Sequence, residues 1–180
     1  VLLPKIMFQV VHVALIIKER ICIVDIAHAL SLLCRGNGHV KTFFSVGQHC
    51  ILCAKEAMAR GLPRRLALAA LLHDASECYM SDVPSPFKKE LPEYQIWEEQ
   101  RQEEKLLCII YEKYLGTGLS AKEEQQLKNI DNDLLWYDLK FLLNEEPPQP
   151  KPSVCVPIDY TVRPFQEVED EYRMLFKQLL

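Results

Sequence analysis

At 180 residues and 49% hydrophobic, the chain is long enough to bury a core of ordinary density, and a single domain is the default organisation. Its formal net charge of −4, with no long block of like charge, leaves no electrostatic footprint for polymeric nucleic acid, yet a small phosphorylated ligand needs only a few local donors or a metal. The seven cysteines are an odd number scattered through apolar surroundings, unlike a secreted disulfide framework, and read as reduced thiols of a cytoplasmic protein.

The apolar stretch at residues 6–17 is interrupted by Gln9 and His12. It is too short to cross a bilayer and lacks a small-residue cleavage site after it, so neither a membrane span nor a signal peptide is expected. From Asp25 to Leu33 a good N-cap residue opens a run with apolar residues at helical spacing, and Gly36-Asn37-Gly38 ends it. Arg35 then stands at the helix exit, within reach of a neighbouring cleft. Ser45 caps a second helix running to about Ala59, with His49 in its first turns, and Gly61-Leu62-Pro63 stops it. Pro63 starts a third helix in the favoured first position, and residues 66–72 are apolar on every face, as a central core helix requires.

His73, Asp74 and Glu77 follow directly. The prolines at 84 and 86 cannot continue a helix, so residues 81–86 should form an ordered loop. Residues 94–115 alternate charged and apolar positions at a helical period, and Gly116-Thr117-Gly118 closes that helix. A further helix is expected over residues 121–143, with Asp131 in its middle. A proline-rich strap covers residues 147–157, and an amphipathic helix over residues 165–180 packs back on the bundle. The fold class is therefore all-α, a single-domain helical bundle over residues 1–180.

The chemistry lies in a histidine and a carboxylate side by side at the end of an all-apolar helix. Burying them without partners would cost several kcal/mol, mostly for the charged carboxylate. A divalent metal would compensate both, because neutral imidazole and carboxylate are ligand types that first-row ions accept. His49 and Asp131, each inside an apolar helix, are the candidates to complete the shell. Cys50 and Cys53 have zinc-knuckle spacing, but no second pair follows at a useful distance, and they read as core packing. His28 reads as a core residue bonded to backbone or carboxylate, and His39 as a turn residue.

The order His49, then His73-Asp74, then Asp131, each on its own helix, resembles the HD-domain superfamily of metal-dependent phosphohydrolases. The run from Leu71 through His73-Asp74-Ala75-Ser76-Glu77 to Asp82, Pro84, Pro86 and Lys88 is similar to the bacterial 5'-deoxynucleotidase branch. The segment from Asp25 through Phe44-Ser45-Val46-Gly47-Gln48-His49 resembles phage and bacterial HD hydrolases, so that the likeness spans about residues 25–143. Gln48 stands where a glutamate is frequent in the nucleotidases, and Cys50 where serine is common.

The resemblance implies one divalent ion (Mn, Co, Fe, Ni or Zn) held by His49, His73, Asp74 and Asp131, with Glu77 moving a proton. It implies contacts to substrate from Arg35, Asp82 and Lys88. Asp131 is preferred to Asp133 because the family's last ligand follows a small or apolar residue, and Asp133 lies about 200° round the helix. The expected activity is release of phosphate from nucleoside 5'-monophosphates, deoxynucleotides favoured. The alternatives are hydrolysis of a triphosphate, a cyclic nucleotide or guanosine tetraphosphate, or a nucleotide-binding module without turnover. The diesterase branch carries a Gly-Tyr-Pro motif that this chain lacks. The expected partner is a small phosphorylated nucleotide, without polymeric nucleic acid or membrane, and a homodimer would be common for such an enzyme.

Overall fold

The computed structural model describes residues 18–81 and 97–180, excepting the side chains of 97–102. The elements are helices α1 (Ile23–Leu32), α2 (Val46–Ala59), α3 (Arg64–Leu72), α4 (Glu77–Met80), α5 (Trp97–Leu115), α6 (Ala121–Asp138) and α7 (Phe165–Leu179), with short 3-10 turns at Lys18–Arg20 and Arg35–Gly38. The described residues form no sheet, only an isolated bridge between Cys34 and Ser45, and the all-α class holds. None of their helices is long and apolar enough to cross a membrane. Residues 6–17 and the loop after Ser81, with Asp82 and Lys88, lie outside the described residues.

Helix α3 is the hub. Leu66 through Leu72 are all buried, because the helix has neighbours on every side: α2, α5, α6 and α7. Its carboxyl end is held from α7, whose Tyr172, 0% exposed, donates its hydroxyl to the Leu71 carbonyl at 2.6 Å. Arg65 meanwhile donates to the carbonyls of Leu115, Thr117 and Gly118, satisfying groups that the end of α5 leaves open. Helix α7 packs as its pattern requires, with Val168, Tyr172, Leu175, Phe176 and Leu179 buried.

Helix α2 starts on a reciprocal cap. The Ser45 hydroxyl accepts from Gln48 N–H, and the Gln48 side chain accepts from Ser45 N–H, both at 3.1 Å. Gly47, in the first turn, presses on the backbone of α1, and a Cβ there would meet the Leu30 carbonyl and Ser31 nitrogen at 3.1–3.2 Å. Only glycine lets the two helices approach so closely at the turn that delivers His49.

The sequence boundaries move in three places. Helix α1 begins at Ile23, not at a capping Asp25, which lies in the first turn where its charge suits the helix dipole. Helix α3 ends at Leu72, and residues 73–76 continue as tighter turns, with Ala75 N–H bonded to Leu72 O and Glu77 N–H to Asp74 O. The helix expected over 121–143 is regular only to Asp138 and widens over Leu139–Leu143 into a π turn that stops on left-handed Asn144.

The strap runs over the bundle without regular structure and is fastened from below. Trp136 donates to Gln149 O, Tyr137 to Pro152 O, and Tyr160 to the Asp138 carboxylate. The strongest fastening is Glu56 on α2, whose side chain is 0% exposed. It accepts from the backbone N–H groups of Cys155 and Val156 and from Arg60, which also reaches Asp133 at 2.8 Å. Burial pushes the Glu56 carboxyl up, but these donors and the Arg60 charge prevail and hold it below its ordinary value of 4.5. A carboxyl depressed in the folded state stabilises the fold above its unfolded value and loses that contribution as pH falls through the folded one. Glu56→Gln is therefore expected to cost about 2–3 kcal/mol in urea unfolding at neutral pH. The gap between the two urea midpoints should close as the pH is lowered below 4.5.

Candidate metal centre

Helices α2 and α6 and the turn after α3 bring their polar residues to one place. His49 on α2 is fully buried, and its Nε2 lies 3.0 Å from Asp131 Oδ1 on α6 and 4.0 Å from Asp74 Oδ2. His73, in the turn after α3, has its Nε2 3.2 Å from Asp74 Oδ2 and 3.7 Å from Asp131 Oδ1. Of the four residues expected as ligands, His49, His73 and Asp131 converge together with Cys53, while Asp74 converges with His73 and Cys50 in a second, overlapping group. Asp131, 34% exposed, forms the open side.

Hydrogen bonding fixes the roles of the ring nitrogens. His73 Nδ1 lies 2.8 Å from the Ala70 carbonyl, which can only accept, so Nδ1 carries a proton and Nε2 offers its lone pair in the neutral ring. His49 Nε2 lies 3.0 Å from Asp131 Oδ1, a carboxylate oxygen that can only accept, and its Nδ1 stands 3.3 Å from Asp138 Oδ2, an ion-pair distance without hydrogen-bond geometry. His73 Nε2 and Asp74 Oδ2 face one another without hydrogen-bond geometry, and both are buried polar atoms without a hydrogen-bond partner among the described residues. Two such atoms facing one another, with the Arg35 guanidinium 3.5 Å from Asp74 Oδ2 but no hydrogen bond to either, are what a cation would relieve. The residues present fit a divalent metal: the buried histidine, cysteine and aspartate group could hold one.

The electrostatics agree. Burial and the Arg35 charge pull the His49 imidazole down, yet Cys53, Asp131 and Asp138 hold it well above the ordinary histidine range. Burial likewise opposes the charged form of His73, but Asp74 leads the groups that raise it. Burial pushes Asp74 up, while His73, Arg35 and His49 hold it below the usual carboxylate range. Asp131 is lowered in the same way by the two histidines against its own desolvation. The cluster favours positive charge, which protons on the imidazoles or a bound cation would supply.

Two residues join that the sequence reading left out. Asp138, two turns after Asp131 on the same face of α6, is buried and touches His49, Arg35 and the Tyr160 hydroxyl. It orients the His49 ring as a supporting carboxylate does beneath a metal-bound imidazole. The seven-residue spacing from Asp131 was the available signal. The second is Cys53, read as core packing. It is buried, but its Sγ lies 3.5 Å from His49 Nε2, and it belongs to the converging donors. Asp133 points elsewhere, to Arg60.

The other expected residues divide. Arg35 is carried by the loop between α1 and α2, closed by Arg35 N–H to Phe44 O and Val46 N–H to Leu33 O. Its guanidinium reaches Asp74 at 3.5 Å and Asp138 at 3.3 Å. Glu77 is buried at the start of α4 beside the His73-Asp74 turn, but it is not among the donors that converge within 4.8 Å. His28 pairs with Glu169 on α7 at 2.8 Å, the carboxylate partner expected of it. Wild-type protein should take up Mn, Co or Zn with a rise in melting temperature that a chelator reverses, worth about 2.7 kcal/mol at a hundredfold excess over Kd. Asp138→Asn should weaken the ion roughly 10- to 100-fold in a chelator competition.

No protein-family model matches the chain. It is 44% identical over 97 residues to the uncharacterized protein YfdR of Escherichia coli K12, covering 54% of this chain and 49% of that protein. An uncharacterized protein of Rhodobacter capsulatus is 42% identical over 69 residues, 36% of this chain and 35% of that protein. The chain spans about half the length, or less, of these curated relatives.

Proposed function

We propose that the chain is a metal-dependent phosphohydrolase of the HD-domain type, a phosphomonoesterase acting on nucleoside 5'-monophosphates with deoxynucleotides favoured. The observation that carries this reading is the close approach of His49, His73, Asp74 and Asp131, among which His49 Nδ1, His73 Nε2 and Asp74 Oδ2 are buried without hydrogen bonds, with a guanidinium at the edge. The divalent ion, when bound, polarises a phosphoryl group and lowers the pKa of a water.

The chain's residues do the rest. His73 is held by the Ala70 carbonyl and His49 by Asp138, so both present Nε2 without a search of rotamers. Arg35 offers a planar fork of donors beside Asp74, suited to phosphate oxygens. Glu77, buried one tight turn beyond Asp74, would move a proton between water and leaving oxygen. Asp82 and Lys88, in the segment that follows, are assigned to the sugar and the phosphate of the substrate. The deeply set donors suit a small ester more than a polymer, in keeping with the acidic net charge.

The test is a phosphate-release screen across deoxynucleotides and ribonucleotides with Mn, Co, Ni, Fe and Zn. Monophosphates should be hydrolysed, Asp74→Ala should abolish turnover, and Glu77→Gln should keep the metal while lowering kcat by about 10²- to 10⁴-fold. Metal-loaded protein that releases no phosphate from any nucleotide would refute the reading.

A further inference from the structure

Cys53 follows His49 by one turn of α2, so the two side chains lie on one face. A buried free cysteine is ordinarily a small hydrophobe. Here the 0% exposed thiol faces the ring nitrogen that His49 turns into the cluster, with Sγ 3.5 Å from His49 Nε2. The donor atoms of His49, Cys53, His73 and Asp131 all lie within 4.8 Å of one another. In a tetrahedral zinc site with Zn–N of about 2.0 Å and Zn–S of about 2.3 Å, nitrogen and sulfur stand about 3.5 Å apart. The His49–Cys53 separation matches that edge, and the spacings of Asp131 to His49 and His73, 3.0 and 3.7 Å, bracket the slightly shorter nitrogen–oxygen edge. Independently, His73 Nε2, on a side chain 9% exposed, is buried in the same cluster without a hydrogen-bond partner.

We propose that Cys53 is a thiolate ligand of this centre, joining the His49, His73 and Asp131 donors and selecting a thiophilic ion, zinc, cobalt(II) or iron(II), over manganese(II) and magnesium. The thiol releases its proton to solvent as the sulfur–metal bond forms, with no change in oxidation state. A soft donor raises the affinity for thiophilic ions, whereas manganese(II) and magnesium favour a shell of oxygen ligands. Cys50 is the internal control: it lies next to His49 in the chain but falls in a separate group, with His73 and Asp74 and without His49 or Asp131. The inference rests on the metal-centre reading of the function but does not depend on turnover.

Cobalt(II) added to the metal-free chain should produce an intense thiolate-to-cobalt charge-transfer band in the near ultraviolet, absent in Cys53→Ser and retained in Cys50→Ser. Zinc affinity by chelator competition should fall more than about tenfold in Cys53→Ser, against less than about threefold for manganese(II). Should Cys53→Ser fail to fold by circular dichroism, X-ray absorption at the cobalt edge of the wild-type complex decides instead, through a sulfur scatterer at about 2.3 Å. A cobalt complex with neither band nor sulfur scatterer, or a band that survives in Cys53→Ser and vanishes in Cys50→Ser, overturns the ligand assignment and leaves the phosphohydrolase reading standing. Failure of wild-type protein to retain any cobalt in equilibrium dialysis overturns both.

Discussion

The imidazole of His49, with none of its side chain exposed, stands between two carboxylates: Asp131 at 3.0 Å on one ring nitrogen and Asp138 at 3.3 Å on the other. So much charge in a poorly solvated place survives only when each group is compensated, because an unpaired buried charge costs several kcal/mol. Arg35 compensates Asp74 and Asp138, and the two imidazoles compensate Asp131. His73 Nε2 and Asp74 Oδ2 are left facing inward without a hydrogen bond. Much of the local structure serves this arrangement. The Ser45–Gln48 cap fixes where α2 begins, Gly47 lets that turn sink against α1, and Tyr172 holds the end of α3 from which His73 and Asp74 emerge.

Where a residue's role is set by its own helix, the sequence revealed it. The all-apolar run before His73 announced a central helix, and its seven residues from Leu66 to Leu72 are buried as that required. Asp131 and Asp133 separate as their angular positions demand, one toward the histidines and the other toward Arg60. His28 found a carboxylate on α7 because a half-buried imidazole on an apolar face needs a polar partner. The end of the helix beyond Asp138 was less legible, since the apolar periodicity marks neither the π turn over Leu139–Leu143 nor its stop on left-handed Asn144.

The misses have physical causes. Asp138 lies on the same face as Asp131, but a carboxylate near a helix end ordinarily reads as solvated, and only packing against His49 and Tyr160 shows that it is buried. Cys53 was set aside because its pairing with Cys50 suggested a knuckle that could not close. The informative spacing was to His49, four residues earlier. Glu56 showed only its i,i+4 spacing to Arg60, because its other partners are backbone N–H groups 99 and 100 residues along the chain.

The strap connects these themes. Its deepest fastening is Glu56, which accepts from Cys155 and Val156, and a second carboxylate, Asp138, accepts at 2.9 Å from Tyr160 just past the strap. The second is also the carboxylate that orients His49 and shares the charge of Arg35. A hydroxyl donated to one Asp138 oxygen leaves the other for the imidazole and guanidinium, so the strap helps to decide how that carboxylate is divided. Displacing Tyr160 would expose a buried acceptor and shift the balance between His49 and Arg35, even though Tyr160 itself offers nothing to the converging donors. An extended segment after the last helix of the cluster thereby becomes part of the centre's support, through a single hydrogen bond that neither periodicity nor composition encodes.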